Sequence, residues 1–148
     1  MSQEQIREII EKYKVIAVVG LSNDPEKVSY KISAYMQHHG YHIIPVNPFV
    51  DEVLGEKCYK SLLDIPVEIQ RILEVVDVFR KVEDVPPIVE QAIELKTRVD
   101  RPFVVWMQLG IVNEQAAEAA MRAGLVVVMD KCLMTEHHHL IRDLYYSE

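Results

Sequence analysis

Within ten residues, 20 to 29, the chain sets Gly20, Ser22, Asn23, Lys27 and Ser29 directly behind the apolar run Val15-Ile16-Ala17-Val18-Val19. A glycine where a buried strand ends lets a ligand come close to the main chain. A helix opening just after it directs unpaired N–H groups and a partial positive charge into the space above. Ser22 and Asn23 add donors and Lys27 adds a cation, so the stretch reads as an anion-holding turn. The spacing predicts a helix over 25–39, with Asp24 as N-cap, Pro25 at the first helical position and Gly40 as its stop. The G-x-G-x-x-G spacing of dinucleotide-binding turns is missing, and so is a Walker loop, which excludes ATP hydrolysis by that machinery.

Further groups able to take part lie where other apolar runs stop: Asn47-Pro48, Phe79-Arg80, Gln108-Leu109-Gly110 and Asp130 to Cys132. NAD-binding domains usually carry an Asp or Glu at the second strand end to grip the ribose hydroxyls, whereas a neutral Asn47 stands here; this argues against NAD. Arg80 and Lys27 supply cations, and Phe79 and Pro48 supply apolar walls. No G-x-S-x-G or H-E-x-x-H motif occurs, and the scattered acids show no spacing that marks an acid/base pair. His137-His138-His139 would point about 100° apart on a helix, so three in a row cannot chelate one metal. They and His38-His39 read as solvated surface, and no metal site is expected. Cys58 and Cys132 form no C-x-x-C pair and read as ordinary thiols of a reducing compartment.

The elements that must position these groups alternate. Apolar, β-branched runs at 15–20, 41–46, 72–79, 103–108 and 125–130 are predicted strands, with a weaker one around 57–59. Between them lie an amphipathic N-terminal helix, the helix at 25–39, a short helix or turn in "SLLDIPVEIQR", a helix capped by Asp84, an alanine-rich helix capped by Asn113, and a last helix from about Leu133. Strands apolar on both faces and separated by helices specify a mainly parallel sheet with helices on both faces, a doubly wound α/β domain. In such sheets ligands bind beyond the carboxyl ends of the strands, near the point where winding reverses.

The 148 residues suit one domain, 1–148. A net charge of −7 argues against a nucleic-acid partner. Residues 1–48 hold five basic and five acidic side chains, so an anion meets least repulsion there. No apolar run approaches the roughly 20 residues of a membrane span, and the N-terminus is no signal peptide, so a cytoplasmic protein without a membrane partner is expected.

Taken in order, "AVVGLSNDPEKVSYKISAYMQHHGYHIIPVNP", "CYKSLLDIP", "VVDVFRKVEDVPPIVEQAIE" and "VVWMQLGIVNEQAAEAAMRAGLVVVMDKCLMTEH" carry a resemblance. The chain resembles the small single-domain CoA-binding proteins, Rossmann-like domains akin to the CoA-binding domain of the succinyl-CoA synthetase alpha subunit and of ADP-forming acyl-CoA synthetases. The resemblance spans about residues 13 to 140. It implies that Gly20, Ser22, Pro25, Lys27, Ser29, Asn47-Pro48 and Val76 to Arg80 line a groove for the ADP and pyrophosphate of coenzyme A or an acyl-CoA. The W-x-Q-x-G stretch falls on Trp106, Gln108 and Gly110, and D-x-C-L on Asp130, Cys132 and Leu133. Lys27 stands where arginine is frequent, replacing a bidentate grip by a point charge, and "VEIQRILE" is atypical. The expected site is therefore Gly20, Ser22, Asn23, Lys27, Ser29, Asn47, Pro48, Phe79, Arg80 and Gln108, with no catalytic residue. A binding module is the first expectation. A subunit or enzyme acting on acyl-CoA and an NAD(P)-type oxidoreductase stay open behind it, as does a homo-oligomer or a partner of acyl-CoA metabolism.

Overall fold

The computed structural model describes residues 1–146. Five strands form one parallel sheet: β1 (Val15–Val19), β2 (His42–Val46), β5 (Val75–Val78), β6 (Val104–Met107) and β7 (Val126–Val128). Their order in space is β2-β1-β5-β6-β7, so the winding reverses between β1 and β5. Ala17 pairs with Ile44 on one side and Val76 on the other, and Asp77 lies beside Trp106.

Both faces are covered, which is why these strands carry apolar side chains at consecutive positions. On one face Ala17, Val76, Val78, Val105 and Met107 pack with residues of α4 (Val85–Val99) and α5 (Glu114–Arg122). On the other, Ile16, Val18, Val104 and the fully buried Trp106 pack with residues of α1 (Gln3–Lys12), α2 (Val28–His38) and α6 (Leu133–Tyr146). The helix starts follow local chemistry. Ser2 and Gln5 form a capping box on α1, and Asn113 Oδ1 accepts from the Ala116 N–H at the start of α5. In α4 the two prolines stand in the first turn, where their missing N–H groups cost nothing.

Three expectations are corrected. The second helix begins at Val28 rather than Pro25, with Lys27 as an N-cap that makes no side-chain bond. Ser22 Oγ accepts from the Asp24 N–H and Asp24 Oδ1 from the Glu26 N–H, so these side chains stabilise a turn and delay the helix. The weak strand around 57–59 is instead a hairpin of β3 (Glu52–Val53) and β4 (Glu56–Lys57), turned at Leu54 and Gly55, both with positive φ; Tyr59 then bridges Val46. The run at 72–79 becomes regular only at Val75, because Ile72 and Leu73 are still held in a turn by the carbonyls of Ile69 and Gln70 in the short α3 (Val67–Gln70) segment.

The histidines of α6 are not uniformly solvated, as the sequence suggested. His137 is 6 % exposed and its Nδ1 lies 2.8 Å from Tyr35 Oη, with the Tyr41 and His39 rings against it. Burial lowers its pKa to about 4, and His39, Lys14 and His138 push in the same direction. A histidine that stays neutral in the folded chain but charges in the unfolded one makes stability rise with pH between about 4 and 6.5. On going from pH 7.0 to pH 4.5 the urea-unfolding stability of the parent relative to His137→Gln is therefore expected to shift by roughly 1–3 kcal/mol against the parent, a difference from which the other titrating groups cancel. Equal pH dependence in both proteins would refute this role.

Candidate functional site

At the carboxyl end of the sheet, above the reversal between β1 and β5, lies a cavity of about 1020 Å³. Of the residues expected at the site, Gly20, Ser22, Lys27, Ser29, Phe79, Arg80 and Gln108 line it. Asn23 is exposed outside that lining, and Asn47 and Pro48 are also not part of it.

The loop after β1 is held by backbone and side chain together. Gly20 has φ +93° and its N–H donates to Val46 O at 2.8 Å. The Ser22 N–H donates to the buried Ser29 Oγ at 3.0 Å, which ties the loop to the first turn of α2. No side chain caps that turn, so its N–H groups keep their positive field toward the cavity that Lys27, Val28 and Ser29 line.

Asn47, expected at the ligand, is bonded within the protein at both ends of its amide. Its Nδ2 donates to Leu21 O at 3.0 Å, and its Oδ1 accepts from the Phe49 N–H at 2.9 Å. Both ends of the amide are thus used in joining the loop after β2 to the loop after β1. An aspartate could make only one of these bonds, which is a structural reason for an amide at this strand end.

Four cations line the cavity: Lys27, Lys31, Arg80 and Lys81. The one acid among the lining residues is Asp84, whose Oδ2 lies 3.3 Å from an Arg80 guanidinium nitrogen. Arg80 is therefore both a cavity residue and a member of an i,i+4 ion pair, half-exposed and free to turn toward a stronger anion. Sequence reasoning missed Lys31 and Lys81. The signal for Lys31 was available, since it follows Lys27 by four residues and such a pair shares one helix face. The cations belong to the segments that follow β1 and β5, whereas the lining contributed after β6 and β7, the next strands of the sheet, includes the apolar Leu109, Ile111 and Met134, with Cys132 among them.

Gln108 lines the cavity directly after β6, between β5 and β7 in the sheet. It is 2 % exposed and donates from Nε2 to Asp77 Oδ1 at 2.9 Å. Asp77, 1 % exposed and set between Val18 and Trp106 in register, was also missed, although an acid inside an apolar strand is itself a signal. Its Oδ2 has no protein hydrogen bond among the described residues. Burial pushes the Asp77 carboxyl up to about 8, against a smaller opposing effect of the Gln108 bond, so at neutral pH it is mainly the uncharged acid. Trp106 is core, and its Nε1–H donates to Lys131 O at 2.8 Å. Among the described residues no cluster of His, Cys, Asp or Glu has metal-binding geometry, and no helix is long and apolar enough to cross a membrane.

Residues 14–138 match the family described as the CoA binding domain. The chain belongs to this family. As a CoA-binding domain it is 43% identical over 136 residues to YneT of Bacillus subtilis strain 168, covering 92% of this chain and 94% of that protein. A solved structure from Pyrococcus horikoshii OT3 shares the fold with TM-score 0.85 and 43% identity, over 95% of this chain and 93% of that one. The ADP-forming acetate–CoA ligase of Methanocaldococcus jannaschii is 40% identical over 63 residues, which are 43% of this CoA-binding domain and 9% of the ligase. The family resemblance and the doubly wound α/β fold read from the sequence both hold.

Proposed function

We propose that the cavity holds coenzyme A, free or acylated, and that the chain acts as a binding protein for it. The observation that carries this reading is the charge distribution. A chain of net charge −7 gathers Lys27, Lys31, Arg80 and Lys81 around one cavity in the segments after β1 and β5, beside an uncapped helix start, while the segments after β6 and β7 contribute the aliphatic Leu109, Ile111 and Met134. Coenzyme A has the matching asymmetry: a diphosphate and a ribose phosphate at one end, an extended and mostly uncharged pantetheine arm at the other. NAD fits less well, because it lacks the third phosphate and because Asn47, which takes the place of its ribose-binding acid, is occupied by Leu21 and Phe49.

Thermal shifts with CoA, acetyl-CoA, NAD, NADP and ATP rank the ligands, since a ligand at 100 times its dissociation constant stabilises by about 2.7 kcal/mol. CoA or acetyl-CoA is expected first; NAD above CoA would reverse the reading. Lys27→Ala is expected to weaken CoA binding by roughly 1–2 kcal/mol without unfolding the chain, because the lysine supplements N–H groups that remain in place. Unchanged affinity by calorimetry would place the anion elsewhere.

The likeness to part of an acetate–CoA ligase favours a second reading, in which the chain presents CoA to a partner that carries out acyl transfer. Acyl-CoA turnover that requires both this chain and a partner would support it.

A further inference from the structure

We propose that Cys132 is a redox partner for the ligand: it takes the CoA thiol into a reversible mixed disulfide by exchange with CoA disulfide. This rests on the reading of the cavity as a CoA site. Three observations place the thiol for that chemistry. Cys132 lines the same cavity as Lys27 and Arg80, but it follows β7, two strands beyond the β5 that leads to Arg80, with Met134 beside it in sequence, on the side toward which a pantetheine arm anchored by its phosphates would run.

The second observation is Gln108. It is almost fully buried yet lines the cavity, its Nε2 is committed to Asp77, and its Oε1 has no protein partner among the described residues. An acceptor that stays open in the wall of a cavity can take a donor from a ligand, and a pantetheine arm carries two amide N–H groups between the diphosphate and the thiol. Gln108 follows β6, which lies between the β5 that leads to Arg80 and the β7 that leads to Cys132, and so suits the middle of an arm whose end would meet Cys132.

The third is rigidity. The turn that leads into Cys132 is bonded on three sides: Asp130 Oδ1 accepts from the Gly110 N–H at 2.7 Å, the Lys131 N–H donates to Met107 O, and Lys131 O accepts from Trp106. Asp130 adopts φ 59° to make this possible. Cys132 is consequently half-buried in a fixed position, whereas Cys58 is 7 % exposed, with its Sγ against the carbonyls of Asn47 and Tyr59 and outside the cavity. Cys58 serves as an internal control.

In the exchange, the Cys132 sulfur gives up its proton and attacks one sulfur of CoA disulfide. The Cys132–CoA bond forms, the original sulfur–sulfur bond breaks, and one CoA leaves as a thiolate that takes up a proton. CoA disulfide is the oxidant, no further acceptor is needed, and excess thiol reverses the step. Such a protein would retain CoA covalently when the surrounding thiols are oxidised and release it when they are reduced.

The test treats the full chain with CoA disulfide and follows intact mass, with calorimetric CoA binding measured alongside under reducing conditions. One CoA adduct per chain, removed by dithiothreitol, is expected in the parent and in Cys58→Ser, which binds CoA as the parent does, and is expected to be absent from Cys132→Ser. Site binding should make CoA disulfide react at least about tenfold faster than glutathione disulfide at equal concentration, and Lys27→Ala should reduce that advantage. An adduct on Cys58 alone, no adduct where CoA binds, or equal rates with glutathione disulfide would each overturn the disulfide and leave the binding reading intact. Absence of CoA binding in the calorimeter would overturn both.

Discussion

Gly20→Ala is expected to destabilise the chain by roughly 2–4 kcal/mol and to reduce CoA affinity by on the order of 100-fold or more, because the new methyl group has no place to go. A Cβ at this position would stand 2.3 Å from the Phe79 carbonyl oxygen and 2.9 Å from Arg80 Cδ, and φ is +93°. The first contact is with backbone, so relief requires the loops after β1 and β5 to separate. Those loops hold Ser22 and Arg80, and their separation would dismantle the cationic part of the cavity lining. Gly40→Ala is the matched control: φ is +92° there and nothing lies within 4 Å of the added carbon. It should cost only the backbone preference, roughly 1–2 kcal/mol, and leave CoA affinity unchanged. Denaturant unfolding and calorimetry on both variants make the comparison. Equal losses in the two would show that the contact with Phe79 carries no weight.

Asp77→Asn is expected to raise stability, by on the order of 2–4 kcal/mol at pH 8, which is a gain of roughly 5–10 °C in Tm for a chain of this size. The carboxyl titrates near 8 in the folded protein and near its ordinary 3.8 when unfolded. Between those values the folded chain keeps a proton that the unfolded chain has lost, so the contribution of Asp77 to stability falls as pH rises from about 4 to about 8 and is level above, opposite in sign to that of His137. Asparagine has nearly the same shape, can still accept from Gln108 through its carbonyl oxygen, and carries no charge to desolvate. Parent and variant should therefore converge near pH 4 and diverge upward, with CoA affinity little changed because Gln108 keeps its partner. A gain that is the same at pH 4 and pH 8 would mean that Asp77 does not titrate as a buried acid.

Local pattern alone was enough for much of the architecture. Runs such as "VIAVV" and "FVVWMQ" are apolar at consecutive positions only because helices cover both faces of the sheet, and that regularity is visible without coordinates. Asn113 as a cap and the prolines at the start of α4 were legible for the same reason: their effects act within three or four residues. The start of α2 was not. Asp24-Pro25 is a good helix opening by local preference, yet the Ser22 and Asp24 side chains hold a turn that the fold uses to bring Ser22 against Ser29. Asn47 was singled out by its place at a strand end, but its partners, Leu21 and Phe49, belong to contacts that no periodicity encodes.

From its sequence, then, the chain's class, its family and the strand ends that could hold an anion can be read, because each depends on residue types within a short window or on the order of motifs along the chain. Tertiary structure decided which strand ends meet. The order β2-β1-β5-β6-β7 sets Gly20 against Phe79, almost sixty residues later, and makes glycine a requirement of that neighbour. It also gathers Lys31 and Lys81 with Lys27 and Arg80, joins Gln108 to Asp77, and sets Cys132 in the lining of the same cavity. The protonation of Asp77 and His137 belongs to the same class of fact, since desolvation is produced by whatever surrounds a group and only the packed chain supplies those surroundings.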